Sequence, residues 1–274
     1  MGWFRNLLVT LTSFVLIGSL YLPAPSASAA TVNLAVQSAA SYASQHGVRV
    51  GISVIDLRTG RMYTSGYSTS RFPSASVVKV YMATYLLRTG KMSGYNEQQA
   101  HIMITQSNNH AFEYLLGKYF NGSAARLFTW MQDHYAFGRM GGPPSSSKSW
   151  CWGNTHITAR GMTHFYAKAM ADPKVGPWLS RAMHHYVAEV DGFNQAFGIP
   201  HASPTAGIKQ GWSDGCSPEY PYHTVLNSTG VVNGRYAVAI LTESRGSISY
   251  DRKIINHIAG LIMPNGQVSL PATR

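Results

Sequence analysis

Apolar and polar positions divide the chain into helix-like and strand-like stretches. Residues 32–45 hold Leu34, Val36 and Tyr42 among alanines and read as a helix. Val48 to Ile55 alternates with the period of two that marks a strand, and Met62 to Ser65 offers a second. Leu57-Arg58-Thr59-Gly60 is the turn between them. From Val77 to Leu87 the chain is apolar on every face, which predicts a helix buried inside the protein, ended by Gly90. Helical stretches follow over 97–105, 111–119, 124–134, 158–170 and 177–187. Strand character returns over 207–212, 222–232 and 236–241, with Asn233-Gly234 joining the last two as a tight hairpin, and 249–262 closes as a helix. This order predicts an α+β fold: one antiparallel sheet built from both chain ends, flanked by helices, with an all-helical lobe inserted. The sheet lobe covers about 31–88 and 200–274 and the helical lobe about 89–199. A cleft is expected where they meet.

The buried helix opens on Arg71-Phe72-Pro73-Ser74-Ala75-Ser76-Val77-Val78-Lys79. Pro73 disfavours helical geometry at Phe72, and Ser74 is placed to cap the helix. Ser76 and Lys79 are then two polar residues three apart on one face. A serine hydroxyl is a weak nucleophile until a base takes its proton. Burial weakens a lysine's hold on its own proton, and a helix N-terminus favours negative charge on the serine oxygen. The same pair also fits a capping serine beside a lysine that reaches the surface. A second polar knot, Gln106-Ser107-Asn108-Asn109-His110, lies between Ile102-Met103-Ile104 and Leu115-Leu116, a setting that points to a position near the core.

Composition narrows the setting. The chain has 274 residues, 45% of them hydrophobic, enough for one domain of two lobes. Residues 1–30 read as a secretory signal peptide: Arg5, an apolar run from Leu7 to Leu22, then a small-residue cleavage region ending Ala27-Ser28-Ala29-Ala30. The membrane is expected to be met only through that leader, giving a secreted bacterial protein. The formal net charge is +11, or about +10 without Arg5, which suits an anionic cell wall. The basic residues are scattered and no nucleic-acid-binding motif is present. Cys151 and Cys216 are the two cysteines of the exported part. They are either a disulfide, worth roughly 4 kcal/mol in the chain-entropy model, or two inert buried thiols. No C-x-x-C or H-E-x-x-H spacing calls for a metal, no motif calls for a cofactor, and His184-His185 reads as structural.

Three short motifs occur in order: Ser76-x-x-Lys79, Ser107-Asn108-Asn109 and Lys209-Gln210-Gly211. Together they resemble the penicillin-recognising serine hydrolases, the class A β-lactamases and D,D-peptidases. Arg71-Phe72-Pro73, Ile102-Met103-Ile104-Thr105 and the run from Asn154 to Met162 extend the likeness over about 32–262. The resemblance implies a β-lactamase/transpeptidase-like fold, a monomer, and a β-lactam or peptidoglycan-like substrate attacked by Ser76. It implies Lys79 as base and Ser107 as proton donor to the leaving nitrogen. Asn109, Lys209, Gln210 and Gly211 would bind substrate, and the backbone N–H groups of Ser76 and Trp212 would form the oxyanion hole.

The chain also departs from that pattern. Class A enzymes release the acyl group with a loop glutamate, yet no Asp or Glu occurs from Ala136 to Met170. Slow deacylation is therefore expected, with Asp214 or Glu219 as conceivable substitutes. Gln210 replaces a hydroxyl residue and Asn108 an aspartate. A Cys151–Cys216 bridge would tie the loop to the strand that carries Lys209. Two rival readings remain: a non-catalytic wall- or ligand-binding protein on the same scaffold, and a nucleophile elbow at Gly211-Trp212-Ser213-Asp214-Gly215 with Asp251 and His257.

Overall fold

The computed structural model describes residues 32–135, 149–213 and 224–268. The 1–30 leader, Cys216, Asp214, Glu219 and the 138–148 part of the loop lie outside the described residues.

Helix α1 (Val32–Gln45) leads into strands β1 (Arg49–Asp56) and β2 (Met62–Gly66). A two-residue strand, β3 (Phe72–Pro73), precedes a 3₁₀ turn over Ala75–Val78 that runs straight into α2 (Lys79–Arg88). Helices α3 (Gly94–Thr105), α4 (Asn109–Phe120) and α5 (Ala124–Tyr135) follow. After a 3₁₀ segment over Ser149–Asn154 come β4 (His156–Ile157), α6 (Ala159–Ala171) and α7 (Gly176–His184). The short strands β5 (Glu189–Val190) and β6 (Phe193–Asn194) and one turn of helix, α8 (Ile199–Ala202), lead to the closing elements. These are β7 (Gly207–Ser213), β8 (Thr224–Val232), β9 (Tyr236–Ser244) and α9 (Ile248–Ile262).

The main sheet runs β2-β1-β9-β8-β7 with every neighbouring pair antiparallel. Strands from both chain ends therefore lie side by side, Ile52 opposite Ile240. This is the α+β arrangement the element order predicts.

Strand β9 shows how the sheet is covered. Tyr236, Val238 and Ile240 join Val36, Ile254 and Ile258 of α1 and α9 in one core. Ala237, Ala239 and Leu241 join Tyr81, Phe165 and the helical elements in the other. Successive side chains point to opposite faces, so a strand covered on both is buried throughout. The strand continues three residues past its expected end at Leu241 because its polar residues find partners. The Thr242 hydroxyl donates to the Leu226 carbonyl, Glu243 pairs with Arg49, and Ser244 donates to Asp251. Helix α7 instead stops at His184, short of Val187. The Val187 amide donates to the Thr105 carbonyl (2.9 Å), which pulls the chain out of the helix and back to α3.

Candidate active site

The corner before α2 is shaped by tertiary contacts, not by a side-chain cap. Phe72 and Pro73 pair with Ile157 and His156, and the Ser74 amide donates to the Thr155 carbonyl at 2.7 Å. Contrary to expectation, Ser74 makes no capping bond. Its hydroxyl donates to the Ala75 carbonyl (3.0 Å). Ala75 then adopts φ +44°, a left-handed conformation that costs a residue with a Cβ about 1–3 kcal/mol. Asn227 of β8 holds the corner by donating to the carbonyls of Pro73 (2.7 Å) and Ser74 (3.2 Å). Ser107 (φ +56°) and Asp191 (φ +50°) share that conformation and line the same cleft as Ala75. Asp191 owes it to an Asp-Gly hairpin turn, whereas the strain at Ala75 and Ser107 points to the cleft as a candidate site.

Ser76 and Lys79 do meet. Lys79 Nζ lies 2.8 Å from Ser76 Oγ, 2.5 Å from the Ser107 carbonyl oxygen and 2.7 Å from Asn109 Oδ1. Two of these partners can only accept. Nζ can donate to both carbonyls while it meets the Ser76 hydroxyl, which accepts from the ammonium and donates to the lone pair once the amine is neutral. Lys79 is fully buried, and burial first, then the charge of Lys209, hold its ammonium well below the ordinary 10.5, against the opposing pull of Glu113. The indole of Trp152 lies 4.9 Å from Nζ.

Lys209 approaches from β7. Its Nζ donates to Ser107 Oγ (2.8 Å) and to the Gln210 carbonyl (3.0 Å), and burial pushes its ammonium down to about 7. The unfolded chain holds that proton up to the ordinary 10.5, so it binds more protons than the folded chain across this window. Stability carried by Lys209 is therefore expected to rise as pH climbs from about 7 to 10.5. Denaturant titrations at several pH values should show the Lys209→Met protein with a smaller rise than the wild type. Equal slopes would refute the assignment.

Gly211 permits the close approach of β7 to the corner. A Cβ there would stand 2.7 Å from the Ser74 oxygen and 3.1 Å from the Ser76 nitrogen. The next residue, Trp212, lines the cleft with its ring stacked on Phe193 at 4.4 Å. Gln210 needs a correction. Its side chain is fully buried and its amide donates to the Phe197 carbonyl (2.5 Å), on the face opposite Lys209. Adjacent strand residues point to opposite faces, so both side chains cannot serve the cleft. Asn108 caps α4 by accepting from the Ala111 amide (2.8 Å). His184 and His185 turn their Nδ1 atoms to the carbonyls of Ser180 and Arg181. The alternative elbow triad is not assembled: Asp251 is bonded to Ser244, and His257 stacks on Tyr42 at 4.0 Å.

The resulting cleft encloses about 650 Å³ and is lined by Ser76, Ser107, Asn109, Trp152 and Trp212 among others. More than four fifths of the chain resembles solved β-lactamases and a PBP. A β-lactamase from Chitinophaga pinensis superposes with a TM-score of 0.65 at 14% identity, covering 82% of this chain and 96% of that one. The β-lactamase from Streptomyces albus G gives 0.63 at 17%, covering 84% and 98%. The fold is β-lactamase-like. PBP-A shares it as well (0.64, 16% identity, 85% and 94% covered). No protein-family model matches the sequence and no curated protein is similar to it.

Two cleft features of this β-lactamase-like fold escaped the sequence reading. One is the β5–β6 hairpin, which brings Val190, Asp191 and Phe193 to the wall beside Trp212. Its Asp191-Gly192 turn is a known hairpin signal, hidden because the strands it joins are two residues long. The other is Glu113, which lines the cleft and accepts a bond from Trp152 Nε1 at 3.2 Å. Its spacing of four from Asn109 puts both on one face of α4.

Proposed function

We propose that the protein is an exported serine hydrolase that forms an acyl-enzyme on Ser76 with β-lactams or D-Ala-D-Ala-like amides and esters. The observation that carries this is the 2.8 Å approach of a buried, proton-shedding Lys79 to the Ser76 hydroxyl. Lys79 takes the hydroxyl proton as Ser76 Oγ attacks the carbonyl carbon. The backbone N–H groups of Ser76 and Trp212 receive the developing oxyanion; one such donor is worth about 3 kcal/mol of barrier. Ser107, bonded to Lys209, passes a proton to the leaving nitrogen and recovers one from the Lys79 ammonium, while Lys209 attracts the substrate carboxylate and Asn109 holds substrate and Lys79 in register. A wall- or ligand-binding protein would gain nothing from keeping a lysine buried against a serine.

The cleft volume suits a small β-lactam or peptide-like substrate, and the basic surface suits an anionic wall. Among the described residues no helix is long and apolar enough to cross a membrane. We also propose that Cys151 is joined to Cys216: Cys151 is fully buried, and there is no free cysteine among the described residues. A non-reducing peptide map with two free thiols would refute the bridge.

Intact-mass measurement after incubation with a penicillin tests the reading. The expected result is a mass increase of one penicillin, localised to the peptide carrying Ser76 and persisting long enough to be followed in time. No adduct with a penicillin or an activated ester, or an adduct elsewhere, would overturn it.

A further inference from the structure

We infer that Glu113 is the general base that delivers water to the acyl group on Ser76. The inference rests on the acyl-enzyme reading and supplies the step for which the segment from Ala136 to Met170 offers no carboxylate. Glu113 stands one turn beyond Asn109 on α4 and lines the same cleft as Ser76. Its Oε1 accepts from Trp152 Nε1 (3.2 Å), and that indole lies 4.9 Å from Lys79 Nζ, itself 2.8 Å from Ser76 Oγ. One aromatic side chain therefore links the carboxylate to the nucleophile's own base. The bond from the indole fixes the carboxylate's direction, and the side chain is half exposed, so water has access.

The titratable groups around Glu113 come from several elements. His110 of α4 places Nδ1 3.8 Å from its other oxygen, and Lys79 of α2 lies across the indole. Lys209 of β7 adjoins Ser107, and Asp191 lines the cleft from the β5–β6 turn. Asp191 is the other described carboxylate of the cleft, but its hairpin packs Phe193 on Trp212, whereas Glu113 is tied to the Lys79 side.

In the step, the water oxygen bonds to the ester carbon as the Glu113 carboxylate takes one water proton. The bond from that carbon to Ser76 Oγ then breaks. The proton held by Glu113 returns to Oγ through water in the cleft, and the acyl group leaves as a carboxylic acid.

The test follows the penicillin adduct on Ser76 by intact mass in the wild type and in Glu113→Gln. The amide oxygen of the variant keeps the bond from Trp152 and loses only the basic oxygen. Adduct formation itself reports that the variant is folded. Formation is expected to stay within about threefold of wild type while the adduct's lifetime lengthens at least about 100-fold. An unchanged lifetime, or formation and release slowed equally, would overturn the assignment and leave the acyl-enzyme reading intact. No adduct on the wild type would overturn both.

Discussion

Replacing Ser76 with alanine is expected to abolish acylation, by about 10⁶-fold or more, and to leave the fold intact. The reason lies in what the hydroxyl touches. Ser76 is 7% exposed in the 3₁₀ turn that leads into α2, and its Oγ meets Lys79 Nζ. Removing one oxygen leaves Lys79 its two carbonyl partners, so the stability change should stay within about 1 kcal/mol. Mass spectrometry and a thermal melt read the two quantities on one sample. A penicillin adduct on Ser76→Ala would transfer the nucleophile to another side chain. A collapsed melting midpoint would show that the hydroxyl serves the fold.

The second large effect concerns Lys79→Met. Methionine matches the length of the lysine stem but offers neither lone pair nor donor. Acylation should fall by about 10²–10⁴-fold, the usual worth of a positioned base. The pH profile separates this from mere repacking. Lys79 sheds its proton well below the ordinary 10.5, so wild-type acylation should climb with pH and level off well before that value. The Lys79→Met rate should be low and without that climb. A variant that keeps the wild-type rise would show that another group activates Ser76.

The site was legible in the sequence where chemistry requires fixed residue types. Ser76 and Lys79 were singled out by spacing, and Ser107, Asn109 and Lys209 by motifs whose order resembles a known family; the five converge on one hydrogen-bond network. The element order was legible too, since β9 carries an apolar run from Tyr236 to Leu241 that only a sheet covered on both faces would use. What escaped depends on distant partners. Ser74 has the composition of a cap, but the Thr155 carbonyl and Asn227 decide its geometry. Gln210 sits beside Lys209 in sequence and points the other way because strands alternate. Glu113 acquires meaning only when the indole of Trp152 arrives from residues far along the chain.

Helices α1 and α9 lie antiparallel, Tyr42 against His257 and the His46 carbonyl against the Tyr250 hydroxyl (3.3 Å), so Val32 and Ile262 come to the same end of the pair. A short linker could join them, and the chain could then be opened between α7 and β5. In such a permuted chain the five main-sheet strands and their two covering helices would be written without interruption, with the helical middle following. Strands β9 and β1 would be separated by a few tens of residues instead of about 180, lowering the entropic cost of bringing them together by about 1 kcal/mol. The contacts would be the same, but the sheet could zip up before the helical part had been collected.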